Sequence, residues 1–544
     1  MITRRRALVL AVLVLLLLVA ALVVGIGRWW LAPVPPRADA EAADALAATL
    51  DRVLQRSAQA MPPGLAIRTL VTAADDPQAA GLAGPVCDSM VNRLARLPGL
   101  RVASCRSTGA EIAADLDDRA LSRLLAVDYL VKGRLQSLPR DRLRVQLVLH
   151  DMRGDRERWR IDEEMAASDL QGLPTRVARE AAPALGQPAS AATEPTIAAE
   201  AYARFLRATQ LFRRPAIEER REALRLVDEV LAVEPDHAPS LYLRMALRSR
   251  LDGFETGGPA DQGSAAQAAA AQAALMGETH KLGERLLAVD PGDRRGNILL
   301  LNAAIDGRRW DEAFRRGDAL LQHAQQQPGV LRIVARLYLM AGYVQRAQAL
   351  AFEAARLDAL DAESIEYLAT THGMQRRDQV MRELLTVARQ IGHGSLDLFD
   401  AVLAHRRADW PDFERAMTAY ATNTQRPADW VPAYARGVAD AREREPAAQL
   451  LDGHDPSTRH YMSDYFFEYA LLGDVRRSLQ AIRHHARQPP RLWLEYLWWP
   501  ELAAVRQQAG FAEAMSELGL TRLWQERGAP DLCQPGTDGR WACR

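Results

Sequence analysis

The sequence predicts an α+β domain followed by an all-α solenoid, both carried behind an amino-terminal transmembrane helix. Three observations lead there. Residues 7–26 form an unbroken apolar run. Residues 60–187 alternate strand-like and helical patterns, and from residue 198 the pattern is helical throughout, in recurring pairs of about 30–40 residues.

The apolar run extends from Ala7 to Ile26 and holds fifteen Leu, Val or Ile residues. A helix of that length, at about 1.5 Å per residue, crosses a hydrocarbon core ~30 Å thick. Arg4, Arg5 and Arg6 precede the run and hold the amino end in the cytoplasm; Trp29 and Trp30 follow it and fit the far interface. The expected layout is a cytoplasmic stub and membrane anchor over residues 1–30 and a linker over 31–59. Everything after that is expected in the periplasm, with the anchor in a bacterial inner membrane. A cleaved signal peptide is the rival expectation, but its apolar region is usually about 7–15 residues, followed closely by a small-x-small site. Here Trp29, Trp30 and Leu31 are bulky, and Ala38-Asp39-Ala40 stands beyond a Pro-rich spacer.

Acidic and basic residues balance at 69 each in 544 residues, so no global field draws the chain to nucleic acid. Lysine occurs only at Lys132 and Lys281, as in proteins of GC-rich genomes that enrich Arg and Ala. Four cysteines form two local pairs, Cys87 with Cys105 and Cys533 with Cys543. In an oxidising compartment such a set reads as two disulfides; free structural thiols are the alternative.

Between residues 60 and 187 the pattern is βαβαβββα. Gly64–Thr72 and Leu100–Ser104 read as strands, and Leu82–Leu97 and Asp118–Val127 as helices, the first entered at Gly84 and Pro85. Three further strands follow at Tyr129–Leu138, Leu143–Met152 and Glu157–Met165. Their turns are Pro139-Arg140-Asp141 and Arg153-Gly154-Asp155. A last helix runs from Asp169, capped by Ser168, to Leu185.

Three stretches carry a resemblance: Leu94–Val102 (LARLPGLRV), Tyr129–Gly133 (YLVKG) and Arg144–Leu147 (RVQL). In that order and spacing they resemble the TolB-amino-terminal-like domain found outside the membrane in CadC-like regulators and in some adenylate cyclases that carry tetratricopeptide repeats. The topology brings the first cysteine pair together. In a strand–helix–parallel-strand unit the first helical turn lies beside the carboxyl ends of both strands. Cys87 is expected in that turn and Cys105 follows the second strand.

After a linker rich in Ala, Pro, Ser and Thr, helical pairs are expected over residues 198–488. The clearest begins near Leu331: Ala335, Tyr338, Gly342, Ala347, Ala351 and Ala354 match tetratricopeptide spacing, with small residues where two helices cross closely and an aromatic between them. Pro is missing at the usual end, where Ala359 stands. Ala223 sits in an earlier unit with Tyr202, Phe205 and Pro235. Ala313, in Trp310-Asp311-Glu312-Ala313, opens the second helix of another. Past residue 360 the signature fades, although pairs continue at Ser364–Ile391, Leu396–Thr424 and Arg459–Gln488; six to eight pairs are expected. Asp252–Gln267 reads as an insertion. The tail, 489–544, is rich in aromatics (Trp493, Tyr496, Trp498, Trp499, Phe511, Trp524) and is expected to cap the end of the solenoid. A ligand-binding aromatic patch is the alternative.

No HExxH, G-x-S-x-G or P-loop occurs, and His484-His485 on a helix point about 100° apart. A non-catalytic interaction or scaffold protein is expected, with no cofactor, metal or nucleic acid. The expected partners are a protein or peptide in the solenoid groove and inner-membrane lipid around residues 7–26. The resemblance implies a second role, the sensor half of a CadC-like system. Those regulators join this architecture to a winged-helix or cyclase domain that residues 1–6 cannot supply, so a signal would pass to a separate partner.

Overall fold

The computed structural model describes residues 40–55, 61–114, 116–140, 142–187, 196–212, 217–255, 264–289, 291, 293–324, 327–394, 396–423, 428–452, 465–487, 494–536 and 540–544. The expected anchor, with Arg4, Arg5, Arg6, Trp29 and Trp30, lies outside them. Among the described residues no helix is long and apolar enough to cross a membrane.

A five-stranded sheet is built from β1 (Gly64–Ile67), β2 (Arg101–Val102), β3 (Tyr129–Leu138), β4 (Arg142–Asp151) and β5 (Arg156–Ala166). Its order is β2-β1-β3-β4-β5, parallel for the first three strands and antiparallel for the last three. The two hairpin turns place Arg140 and Asp155 at φ of 63° and 45°, the left-handed region that tight turns require. One face carries Leu65, Ile67, Val131, Leu135 and Leu147. They are buried with Val86 and Met90 of helix α2 (Pro77–Leu94) and with Val177 and Ala181 of helix α6 (Leu173–Ala184).

Three local expectations need correction. Helix α2 starts at Pro77, not at Gly84. The Asp76 side chain accepts the Ala79 N–H and Pro77 fills the first turn, so Pro85 falls inside the helix and Cys87 lies ten residues past its start, not in its first turn. Residues 167–172 form a 3-10 turn before α6, which begins at Leu173-Pro174. The stretch 31–59, expected as a linker, holds helix α1 (Ala40–Val53). Leu46, Leu50 and Leu54, four residues apart, are buried and share a core with Leu121 and Leu124 of helix α5 (Asp118–Leu125). Between β2 and α5 lie two single-turn helices, α3 (Cys105–Thr108) and α4 (Glu111–Ala114).

The rest is a stack of helix pairs: α7 (Ala199–Phe212) with α8 (Ile217–Val233), α9 (Ala238–Glu255) with α10 (Ser264–Val289), α11 (Arg294–Asp306) with α12 (Trp310–Ala324), and α13 (Pro328–Met340) with α14 (Val344–Leu357). Next come α15 (Ala362–Met374) with α16 (Asp378–Gln390), α17 (Asp397–Arg406) with α18 (Trp410–Asn423), α19 (Val431–Ala439) with α20 (Arg444–Asp452), and α21 (Phe466–Leu472) with α22 (Val475–Arg487). From Arg294 onward each pair begins 34 or 35 residues after the last, at Pro328, Ala362, Asp397, Val431 and Phe466. That is the tetratricopeptide period, and it holds through the region where the sequence signature fades. The pair α19–α20 has no counterpart among the sequence expectations.

At the α13–α14 crossing Ala335, Ala347, Ala351 and Ala354 are all buried, Gly342 ends the first helix at φ 90°, and the Tyr338 ring meets Phe314 edge to face at 5.1 Å. Ala223 and Ala313 are likewise buried in α8 and α12. Small residues allow the backbones this close approach.

The chain ends in helices α23 (Ala503–Arg506), α24 (Ala509–Glu517) and α25 (Leu520–Arg527), then a hairpin of β6 (Cys533–Pro535) and β7 (Trp541–Cys543). Both expected cysteine pairs are disulfide-bonded, Cys87–Cys105 and Cys533–Cys543.

Candidate functional site

The inner face of the array, from α11 to α22, is the first place to look for a ligand, and the chain fills it with its own residues. Part of the aromatic tail stacks on the last repeat, where Gly510 of 509–517 lies against Leu479 and Arg483 of α22. Residues 494–506 instead lie against earlier repeats, from α13 to α21. Trp498 and Trp499 are almost fully buried there. Trp498 lies over Gly342, where an added Cβ would come within 2.9 Å of the indole; Trp499 lies over Gly373 at the same distance. Trp499 also stacks on Phe399 of α17 at 6.0 Å and meets Phe467 of α21 edge to face at 6.1 Å. Large rings seat where the facing repeats offer glycine, and the exchange removes most of the groove from solvent.

Polar contacts fix the segment. Arg406 of α17 donates to Glu501 at 2.7 Å with both side chains buried, and Arg336 of α13 lies 3.6 Å from Glu495. Arg506, also buried, donates to the carbonyls of Leu497 (2.8 Å) and Trp499 (2.7 Å), and burial pulls it down to about 10, still protonated at neutral pH.

The array then closes on itself. Trp310, at the start of α12, donates its indole N–H to the Leu518 carbonyl at 2.7 Å. Arg308 donates to the carbonyl of Ala486 in α22. Trp524 of α25 donates to the Ala341 carbonyl (2.9 Å), and the Tyr343 hydroxyl to that of Gly528 (2.9 Å). The expected peptide groove is therefore an interior over these repeats, because the tail supplies the apolar surface that a ligand would have supplied.

The sheet domain is joined to the array by a buried polar seam. Arg101 of β2, 1% exposed, donates to the carbonyls of Leu125 (3.2 Å) and of Leu357 at the end of α14 (2.6 Å). Asp358, also 1% exposed, accepts the Ser104 N–H at 2.9 Å and the Ser107 hydroxyl at 2.8 Å. Its carboxyl is pushed up from 3.8, first by burial and then by Asp361, against the pull of those donors and of Arg101. Arg52 of α1 reaches Glu383 of α16 at 2.7 Å.

Among the described residues, two surface clefts bring charged side chains together. The larger, about 910 Å³, is bounded by α10, the turn between α11 and α12, the start of α12 and the end of α22. Lys281, Arg308, Arg309, Arg315 and Arg487 line it with Glu284, Asp306 and Glu312, over the small or flexible side chains of Ala273, Met276 and Ala303. The smaller, about 380 Å³, lies on the uncovered half of the sheet beside Lys132, Arg134, Gln146 and His150. Lys132 is neutralised there by Asp118 at 2.8 Å. Each of the two lysines of the chain thus stands in one of the two clefts.

The lining of neither cleft includes a Ser, Thr, Cys or Tyr side chain, and among the described residues no three His, Cys, Asp or Glu side chains are grouped to hold a metal. Among the described residues three histidines are lowered by burial and play packing roles: His237, His372 and His405, the last against Trp410 and Phe413. His237 meets Phe205 edge to face and hydrogen-bonds Ser240; His372 lies against Gln348. Burial lowers His237 and His372 to about 4, so both are neutral at physiological pH. Sequence reasoning missed the seam residues Arg101, Ser104, Ser107 and Asp358, which no local pattern marks. It also missed α1, whose leucine stride at 46, 50 and 54 was readable.

No family model and no curated protein matches the chain. Among solved structures it is similar to human IFIT1 in a dimer with PPP-AAAA, at 12% identity over 65% of this chain and 76% of that chain, with a TM-score of 0.32. It is also similar to a chain of the APC/C hetero-tetramer Cut9–Hcn1, at 11% identity over 60% and 75%, with a TM-score of 0.28. Likenesses this weak carry nothing about ligand or partner.

Proposed function

We propose that this protein is a membrane-anchored extracytoplasmic interaction module, non-catalytic, that presents a closed helical-repeat body to a protein partner. The observation that carries the role is the large charged cleft at the seam of the closed array. The location rests on the apolar run behind Arg4–Arg6 together with two disulfides, which persist in oxidising compartments. The filled groove moves binding to outer surfaces, so a partner would dock on the body rather than thread through it.

A second reading, the sensor half of a CadC-like relay, draws on the seam of Arg101 and Asp358. That joint couples the sheet domain to the repeats, so a ligand on one would be felt by the other.

Paired carboxyl-terminal fusions test the location: alkaline phosphatase is expected to be active and a cytoplasm-only fluorescent protein dark. The reverse pattern would sink it. In-cell crosslinking of the full chain tests the role. Recovery of wall-building or secretion proteins supports scaffolding, recovery of a regulator with a cytoplasmic output domain supports the relay, and recovery of no protein overturns both.

A further inference from the structure

We propose that the cleft between α10, the α11–α12 turn and the end of α22 is the docking site for an acidic amphipathic peptide segment of the partner protein. The inference rests on the interaction-module reading above and names the chemistry of its ligand.

Charge is the first ground. The chain as a whole is neutral, yet five Lys or Arg side chains line this cleft against three carboxylates. The pairing inside it leaves the surplus unspent. Arg309 takes Glu312 at 2.8 Å, Glu284 faces His280 at 3.4 Å, and Arg487 reaches Glu517, outside the lining, at 3.2 Å. Arg308 is committed to backbone carbonyls. Lys281 on α10 and Arg315 on α12 are exposed and meet no carboxylate among the described residues. Two cations that line one cleft from two different helices are open to a ligand's carboxylates.

The floor is the second ground. Ala273, Met276 and Gly277, all at least partly exposed on α10, give the cleft an apolar stretch beside its charged groups. The stretch of α10 from Ala273 to Glu284 supplies one bank of the cleft. Small side chains along a helix bank admit close approach of another helix, and Met adapts to varied apolar partners. A small inorganic anion would use the rim and leave the floor uncovered. Single-stranded nucleic acid would need aromatic stacking platforms, and the lining contains none. An acidic peptide with one apolar face uses both features.

The probe is a fluorescein-labelled helical peptide of Ala, Leu and Glu, with its Lys-for-Glu counterpart as control, titrated against the purified full chain. Anisotropy is expected to show binding of the acidic peptide, weakening as salt rises, and none of the basic one. The double variant Lys281→Glu/Arg315→Glu is expected to bind about tenfold more weakly, since rim charges count little one at a time. The Gln/Gln variant should fall between. Both sites are exposed, so melting curves of all three proteins should coincide and exclude misfolding as the cause.

With lysine at only two positions, carbodiimide coupling adds a positional readout: the peptide should be found joined to Lys281 and not to Lys132. Equal binding by the charge-reversed variant, equal binding of the basic peptide, no binding of the acidic peptide, or coupling only at Lys132 would each overturn the proposal. A chain that still captures a protein partner in cells while failing these tests would keep the interaction-module reading and lose this one.

Discussion

Asp358 shows how one side chain joins two domains. It sits at the end of a repeat helix pair, yet its oxygen accepts from Ser104 and Ser107 of the sheet domain, and water is excluded. Because burial pushes its carboxyl up, the folded protein holds that proton more tightly than the unfolded chain does. The contribution is whole below the unfolded value of 3.8 and is lost as pH rises through the folded one. Asp358→Asn, neutral at every pH, is therefore expected to gain stability relative to the native chain as pH climbs from about 4 toward neutrality. Melting curves across that range check it; parallel profiles would refute it. Asp358→Ala strands three donors, the Ser104 N–H, the Ser107 hydroxyl and the Leu360 N–H, and is expected to cost about 1–3 kcal/mol.

At the scale of elements, the decisive one is the single turn α3. Cys105 opens it, Ser104 caps it and Ser107 lies within it, so the disulfide to Cys87 in α2 holds in place the donors that Asp358 needs. The bridge closes a loop of 18 residues, worth on the order of 3 kcal/mol in the chain-entropy model. A Cys87→Ala/Cys105→Ala variant is expected to lower the urea midpoint correspondingly. Amide exchange should accelerate in α3 and at the α14–α15 turn together, whereas acceleration confined to α3 would show that the seam does not depend on the bridge. The β5 edge tells a different story. Seven of its eleven residues are charged, a composition that discourages pairing with another strand and so removes that edge as a docking site.

For the whole molecule, the consequence of the filled groove is cooperativity. An open repeat array is stabilised by neighbours only and tends to unfold in pieces. Here Trp498, Trp499 and Glu501 touch helices from α13 to α21, which lie far apart along the chain but surround one segment. Trp499→Ala is expected to cost about 3–5 kcal/mol and to broaden the thermal transition, because repeats would lose their shared centre. Dye binding to exposed apolar surface should rise before the main transition. A sharp melt at the native temperature would show that the segment is dispensable.

The helix pairs from Arg294 to Asn423, the succession of strands along the chain and the cysteine partners were legible in the sequence because each is local. Apolar spacing selects helix or strand, turn residues set hairpins, and a strand–helix–strand unit brings Cys87 near Cys105. The resting place of the aromatic tail was not legible. Trp498 and Trp499 finish on Gly342 and Gly373, more than a hundred residues away, and burial in a cap and burial in a groove leave the same local pattern. Nor could Lys281 and Arg315 be told from any other exposed cations until the packing of the repeats brought them to one cleft. Local propensity and periodicity decided the parts of this protein; the curvature that brings its two ends together decided which surfaces are interior and which are left for a partner.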